Sequence, residues 1–209
     1  MGASVDRPPA CAGGACTLAT CNDGFRSCDN DPRNGCEVDL RSDARNCGAC
    51  GNVCGAGQSC SGGVCRTPAP GNDACGGATT LSLASTAQTL TVTNVGANTD
   101  LTPPCGSGGA DVWFRFTLTQ RELVYLDTFG SETDTVVGFM STCGTSLACN
   151  DDSCGGVNSQ TFAVLDPGTH RVVVTGYRAS EGGAFTLRFQ HRPVSGPSVA
   201  ALPATVNVM

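Results

Sequence analysis

Asp111-Val112-Trp113-Phe114-Arg115-Phe116-Thr117-Leu118 is the stretch that decides the fold. Val112, Phe114, Phe116 and Leu118 fall on one side of an extended chain, and Trp113, Arg115 and Thr117 fall on the other. One face is wholly apolar, so this segment predicts a strand laid against a core. Outward from it the same rhythm recurs. Leu90 and Val92 alternate with threonines, and Phe185, Leu187 and Phe189 alternate with Thr186, Arg188 and Gln190. Further strands are expected at 80–84, 122–128, 134–140, 160–165 and 170–176, with Gly or Pro between them. The sum is about eight strands and no amphipathic helix, the pattern of an all-β jelly roll or β-sandwich. Its expected extent is 74–192, enough chain for one core.

Upstream the composition changes. Cys11, Cys16, Cys21, Cys28, Cys36, Cys47, Cys50, Cys54, Cys60 and Cys65 crowd a segment with almost no apolar residues between them. Such a segment cannot bury enough surface to offset its chain entropy, so cross-links must hold it. The expectation is a disulfide-rich module with little regular structure over 11–66, after a flexible N-terminus at 1–10. Residues 67–73, rich in Pro and Gly, read as a linker, and 193–209 as a C-terminal tail or a linker to something further.

Disulfides in this density imply an oxidising compartment, so the chain reads as secreted or displayed at a cell surface. Met1 to Pro9 has neither a basic nor an apolar region of a signal peptide, and the expectation is a fragment of an exported protein. All 12 basic residues are Arg, a bias that fits a GC-rich, bacterial coding sequence. The net charge of −6 argues against nucleic acid, and no apolar run is long enough for a membrane span. The acid surplus lies downstream of the linker.

The downstream half resembles the bacterial pre-peptidase C-terminal domain family. Asn72-Asp73-x-Cys75, Cys105, Asp111-Val112-Trp113-Phe114-x-Phe116, Asp134-Thr135-Val136-Val137 and Cys143 carry the resemblance in order. Leu147-x-Cys149-Asn150-Asp151-Asp152, Ser159, Pro167-Gly168-Thr169-His170 and Gly183-x-Phe185-Thr186-Leu187 continue it. The upstream half resembles cysteine-rich repeats of the stigma-specific-protein-like group, through Asn34-Gly35-Cys36-Glu37 and Asn46-Cys47-Gly48-x-Cys50-Gly51-x-x-Cys54. Neither family is principally enzymatic. The first resemblance implies a β-sandwich appended to a secreted enzyme or surface protein, aiding export, folding or substrate contact.

For the downstream cysteines, Cys75–Cys105 is the natural pair because it brackets the first strands. The resemblance implies Cys143–Cys149, which leaves Cys154 as the odd thiol, to pair with a part of the protein outside this chain, to pair between molecules, or to stay a free thiol. Cys47, Cys50 and Cys54 have spacing that a zinc site or a redox pair also uses, but no βαβ context surrounds them and disulfides are the stronger reading.

The acidic loop is the main candidate site. Asn150, Asp151 and Asp152 are adjacent oxygen donors, and Asp134 opens an earlier strand. If the loop folds back across that strand, the four suit Ca2+, which takes oxygen ligands in flexible geometry. The other reading is a turn whose side chains cap backbone N–H groups. Asp29-Asn30-Asp31-Pro32-Arg33-Asn34-Gly35 is read as a tight turn rather than a second calcium loop.

Catalysis has little to rest on: no GxSxG, HExxH or P-loop occurs, and nothing joins His170 to Asp166 or Asp127 and a serine as a triad. Trp113, opposite the apolar face of its strand, and Tyr177 are the candidates for surface contact, against packing as the alternative. The expectation is therefore a non-enzymatic extracellular binding or attachment module, contacting a surface, a matrix protein or a polysaccharide, with Ca2+ in its acidic loop. The alternatives are a targeting or maturation appendage of a larger secreted hydrolase, and a self-assembling structural protein.

Overall fold

The computed structural model describes residues 10–12, 15–17, 21–29, 31 and 34–194. The chain divides into two units, Met1–Pro68 and Ala69–Met209. Cys11 and Cys16 lie outside the residues whose side chains are described, as does the expected tail from 195 onward.

Among the described residues the first unit holds short antiparallel ribbons. They are β1 (Ala10–Ala12) with β2 (Ala15–Thr17), β3 (Phe25–Arg26) with β4 (Val38–Asp39), and β5 (Ser59–Ser61) with β6 (Val64–Arg66). Its interior is sulfur. Cys47 is wholly buried, and Leu40 is the other buried apolar residue among those described. Among the described residues four bridges hold it: Cys21–Cys36, Cys28–Cys50, Cys47–Cys60 and Cys54–Cys65. Each loop encloses one cysteine of the next bridge, so the four interlock in series. Cys47, Cys50 and Cys54 thus each pair with a different partner, and the zinc and redox readings of that triplet fall away.

Between the bridges, carboxylates organise the turns. Asp39 accepts from Arg41 N and Ser42 Oγ, and Asp43 from Arg45 N and Asn46 Nδ2. These donors hold both carboxyls below the usual range. Gly48 has φ +76° and lies so close to Gly63 that a Cβ would stand 2.5 Å from the Gly63 carbonyl oxygen, a contact only glycine allows.

The second unit is a β-sandwich. One sheet has the order β13-β10-β15-β8, from β8 (Ala87–Thr93), β10 (Glu122–Asp127), β13 (Gln160–Leu165) and β15 (Ala184–Pro193). The other has the order β12-β11-β14-β9-β7. It is built from β7 (Thr79–Thr80), β9 (Asp111–Leu118), β11 (Thr135–Met140), β12 (Ser146–Asn150) and β14 (Gly168–Gly176). Every pairing is antiparallel except β7 with β9. Val112, Phe114, Phe116 and Leu118 meet Val124, Leu126, Phe185, Leu187 and Phe189 in the core between the sheets. The fold is all-β, as the alternation predicts. Two elements differ: the strand expected at 80–84 is only Thr79–Thr80, and β12 replaces what reads in sequence as a loop.

The outer face of the five-stranded sheet is covered too. Trp113, Met140, Val173 and Ala78 form a second buried cluster there, with Cys75 and Leu101 packed against it. Trp113 is 1% exposed, so the expected surface contact is corrected: loop residues lie over it. The bridges explain how. Cys75 pairs with Cys143 and Cys105 with Cys149, rather than Cys75 with Cys105 and Cys143 with Cys149. Both bridges join the covering segments to the β11–β12 hairpin, which is where those segments must be held to stay on the sheet.

Candidate acidic site at one end of the sandwich

Strands β11 and β12 pair with Val137 opposite Asn150. This register sets the start of β11 beside the end of β12, so Asp134, just before one strand, meets Asp151 and Asp152, just after the other. Carboxylate oxygens of the three lie within 4.8 Å of one another. The sequence expectation of a fold-back is met for these three carboxylates.

The surrounding loop is fixed by backbone and hydroxyl contacts. Thr135 N donates to the Val157 carbonyl at 3.1 Å, and Tyr177 N donates to the Asp134 carbonyl at 3.1 Å. Ser159 Oγ sits against the carbonyls of Thr135 and Asp151. Asn158 reaches back to accept from Gly130 N and donate to the Ser131 carbonyl. Those contacts hold the backbone while the acid side chains remain available.

Asp134 Oδ1 and Asp151 Oδ1 are buried atoms with no hydrogen-bond partner. The electrostatics agree with the geometry. Burial pushes the Asp151 carboxyl up to about 6, and the charges of Asp152, Asp134 and Glu181 push the same way against Arg178. Asp134 is raised by burial first, then by Glu181 and Asp152. Three acids with two orphaned oxygens crowd like charges that Arg178 only partly offsets, and the all-oxygen donor set suits a hard divalent cation.

Asn150 is placed differently from the others. Its Oδ1 accepts from Ser153 Oγ at 2.9 Å and from Gln160 N at 3.1 Å, so both lone pairs are engaged within the turn. Its role here is to cap the loop. The sequence could not separate the two functions, because a capping Asn and a ligating Asn look alike in a Gly-rich loop. Glu181 is distant in sequence and carries no local signal; the β14–β15 connection brings its charge to bear on Asp134 and Asp151.

Cys154 is an exposed free thiol. It has φ 56°, followed by Gly155 at φ 73°, in a turn that Gly156 N closes on the Ser153 carbonyl at 3.1 Å. Tyr177 is half-buried, with the Arg178 guanidinium over its ring at 5.2 Å. The two histidines are both engaged. His170 Nε2 lies 2.8 Å from the Asp166 backbone carbonyl, not its carboxylate. His191 Nδ1 lies 2.5 Å from Glu122 Oε2, and its Nε2 lies 3.0 Å from the Ser85 carbonyl. Asp127 accepts from Phe129 N and pairs with Arg188. No triad assembles around either imidazole among the described residues.

No helix among the described residues is long and apolar enough to cross a membrane. No protein-family model matches the chain, and no curated protein matches it. Among solved structures it is similar to the pre-peptidase C-terminal domain of collagenase from Bacillus anthracis, at 12% identity and a TM-score of 0.38, covering 55% of this chain and 94% of that one. It is also similar to PliG of Aeromonas hydrophila, a periplasmic inhibitor of g-type lysozyme, at 14% identity and a TM-score of 0.38, covering 55% and 96%. A cycloisomaltooligosaccharide glucanotransferase of Paenibacillus sp. is more distant, at 20% identity and a TM-score of 0.23, covering 47% and 16%.

Proposed function

We propose that this chain is an exported, non-enzymatic attachment module. Its disulfide-held unit and its β-sandwich form a durable extracellular scaffold, and Ca2+ at Asp134, Asp151 and Asp152 rigidifies one end of the sandwich. The observation that carries the reading is the convergence of those three carboxylates with two buried, unpartnered oxygens. The cation supplies the counter-charge, and Glu181 adds field strength from the next connection. Disulfide density supports the extracellular setting, where millimolar Ca2+ makes even a weak site useful. The test is thermal unfolding of oxidised protein with Ca2+, Mg2+ or chelator, beside retention on extracellular matrix and envelope surfaces. A rise in Tm with Ca2+ that chelator reverses, together with retention, supports the proposal. No metal effect removes the cation, and no retention on any surface removes attachment.

A second reading rests on Cys154. Its exposure and lack of a partner favour assembly by an intermolecular disulfide. Covalent dimers that a reductant dissolves under conditions leaving the sandwich folded support it, and a monomer with one reactive thiol removes it.

A further inference from the structure

The attachment reading leaves the contact face unassigned, and the outer face of the four-stranded sheet carries a built candidate. On β10 and β13, Leu123 stands opposite Val164, and Tyr125 opposite Phe162. All four point away from the core, whose side is taken by Val124, Leu126, Ala163 and Leu165. Phe162 is 41% exposed, and the other three are half-buried. They make a small apolar square with a pair of aromatic rings along one side.

Planar polar groups frame that square. Strand β15 sets Arg192 beside Leu123 and Gln190 beside Tyr125. The next row holds Gln160, Asp127 and Arg188 in line across the strands. Three of the five frame groups are fixed from within. Tyr125 Oη donates to Gln160 Oε1 at 3.3 Å, and Arg188 Nη1 lies 3.7 Å from Asp127 Oδ1. The other two are free: the side chains of Arg192 and Gln190 make no hydrogen bond or ion pair among the described residues.

We infer that this array is a saccharide-binding face, and that its ligand is an acidic polysaccharide bearing ring carboxylates. The inference rests on the attachment reading above. Aromatic rings lying in a sheet face offer flat apolar area to the C–H face of a pyranose, while amide and guanidinium edges meet hydroxyls and carboxylates. The spacing suits that ligand. Outward residues repeat roughly 6.8 Å along a strand and strands lie roughly 4.8 Å apart, placing Tyr125 and Arg192 about 8 Å apart, a reach of one sugar unit. Charge selects the acidic class. Arg192 is exposed and unpaired among the described residues, and Arg188 stays exposed over its buried partner Asp127, whereas acids outnumber arginines across the unit as a whole. A protein partner is disfavoured because four side chains, three of them half-buried, fall well short of the roughly 800 Å² that a stable interface buries on each side.

The test is affinity electrophoresis of the full oxidised chain through gels containing polygalacturonate or neutral dextran, with chelator present so that Ca2+ cannot bridge carboxylates. Retardation by polygalacturonate alone, weakening with salt, is the expected result. Phe162→Ala and Arg192→Gln should each weaken binding about tenfold, while Val53→Ala in the other unit leaves it unchanged. Trp113 emission, unaltered in each variant, verifies folding. Equal retardation by dextran overturns the acidic class. Polygalacturonate binding untouched by Phe162→Ala and Arg192→Gln overturns the array while attachment stands. Binding to a gelatin surface but not to polygalacturonate, lost in Phe162→Ala, reassigns the face to a protein and overturns the saccharide. Failure on every polymer and every surface overturns array and attachment together.

Discussion

Trp113 Nε1 donates a 2.7 Å hydrogen bond to Asp111 Oδ1, two residues back on the same strand and equally buried. The other carboxylate oxygen of Asp111 accepts from Asp100 N at 2.8 Å and Leu101 N at 2.9 Å. One side chain therefore satisfies the indole and pins the loop that covers it. Asp111→Ala should leave the buried indole N–H and two part-buried backbone donors unpaired and cost about 3 kcal/mol. Trp113 is the only tryptophan, so denaturant unfolding followed by its emission measures this loss directly.

The acidic cluster gives a pH dependence whose sign is fixed by the shift. The Asp151 carboxyl lies at about 6 in the folded chain, above its ordinary 3.8. Its contribution to stability is therefore complete below pH 3.8 and is lost as pH rises through about 6. Without metal, Asp151→Asn should raise Tm at pH 7 and flatten the pH profile across that window. With Ca2+ the difference closes, because the native chain gains roughly 2.7 kcal/mol at 100 times its Kd and the variant gains little. Ca2+ affinity should decline as pH falls below about 6, measured by calorimetric titration at stepped pH.

Cys75–Cys143 spans 68 residues and Cys105–Cys149 spans 44. On the chain-entropy account each contributes about 4 kcal/mol. The first has a second, local effect. Cys75 packs in the outer cluster with Trp113, so Cys75→Ser with Cys143→Ser should shift Trp113 emission to the red in the folded state. The matching double change at Cys105 and Cys149 should lower stability with a smaller spectral change.

Cys154 holds a left-handed backbone conformation at φ 56°, which Asn or Gly adopts more readily. Cys154→Gly should leave the turn intact and stabilise the sandwich by about 0.5–1 kcal/mol, read from the denaturation midpoint. It should also abolish fast labelling of the native chain by a thiol reagent.

The sheets were legible because alternation reports the face that meets the core. Val112, Phe114, Phe116 and Leu118 announced theirs without ambiguity. Trp113 shows where that signal ends. Alternation says which side a residue is on, and nothing in it says whether a distant loop lies over that side. The downstream disulfides failed for the same reason: brackets in sequence favour Cys75 with Cys105, whereas the bridges serve segments folded across the sheet from elsewhere. β12 escaped because Ser146 to Asn150 has too few apolar residues to mark an edge strand. In the acidic loop, residue types pointed to the right place, and only the register of β11 with β12 separated the three converging carboxylates from the capping Asn150.

The interlocked bridges also decide how the chain can be taken apart. Every peptide bond from Cys21 to Cys65 lies inside at least one closed loop, and so does every bond from Cys75 to Cys149. A single proteolytic nick within either stretch cuts the backbone but releases nothing. Between Cys21 and Cys149, only the short run between Cys65 and Cys75 lies outside every loop. A cut there is spanned by none of these bridges, and each stretch stays closed by its own. Where peptidases are abundant, this run is the place at which a nick meets no covalent brace.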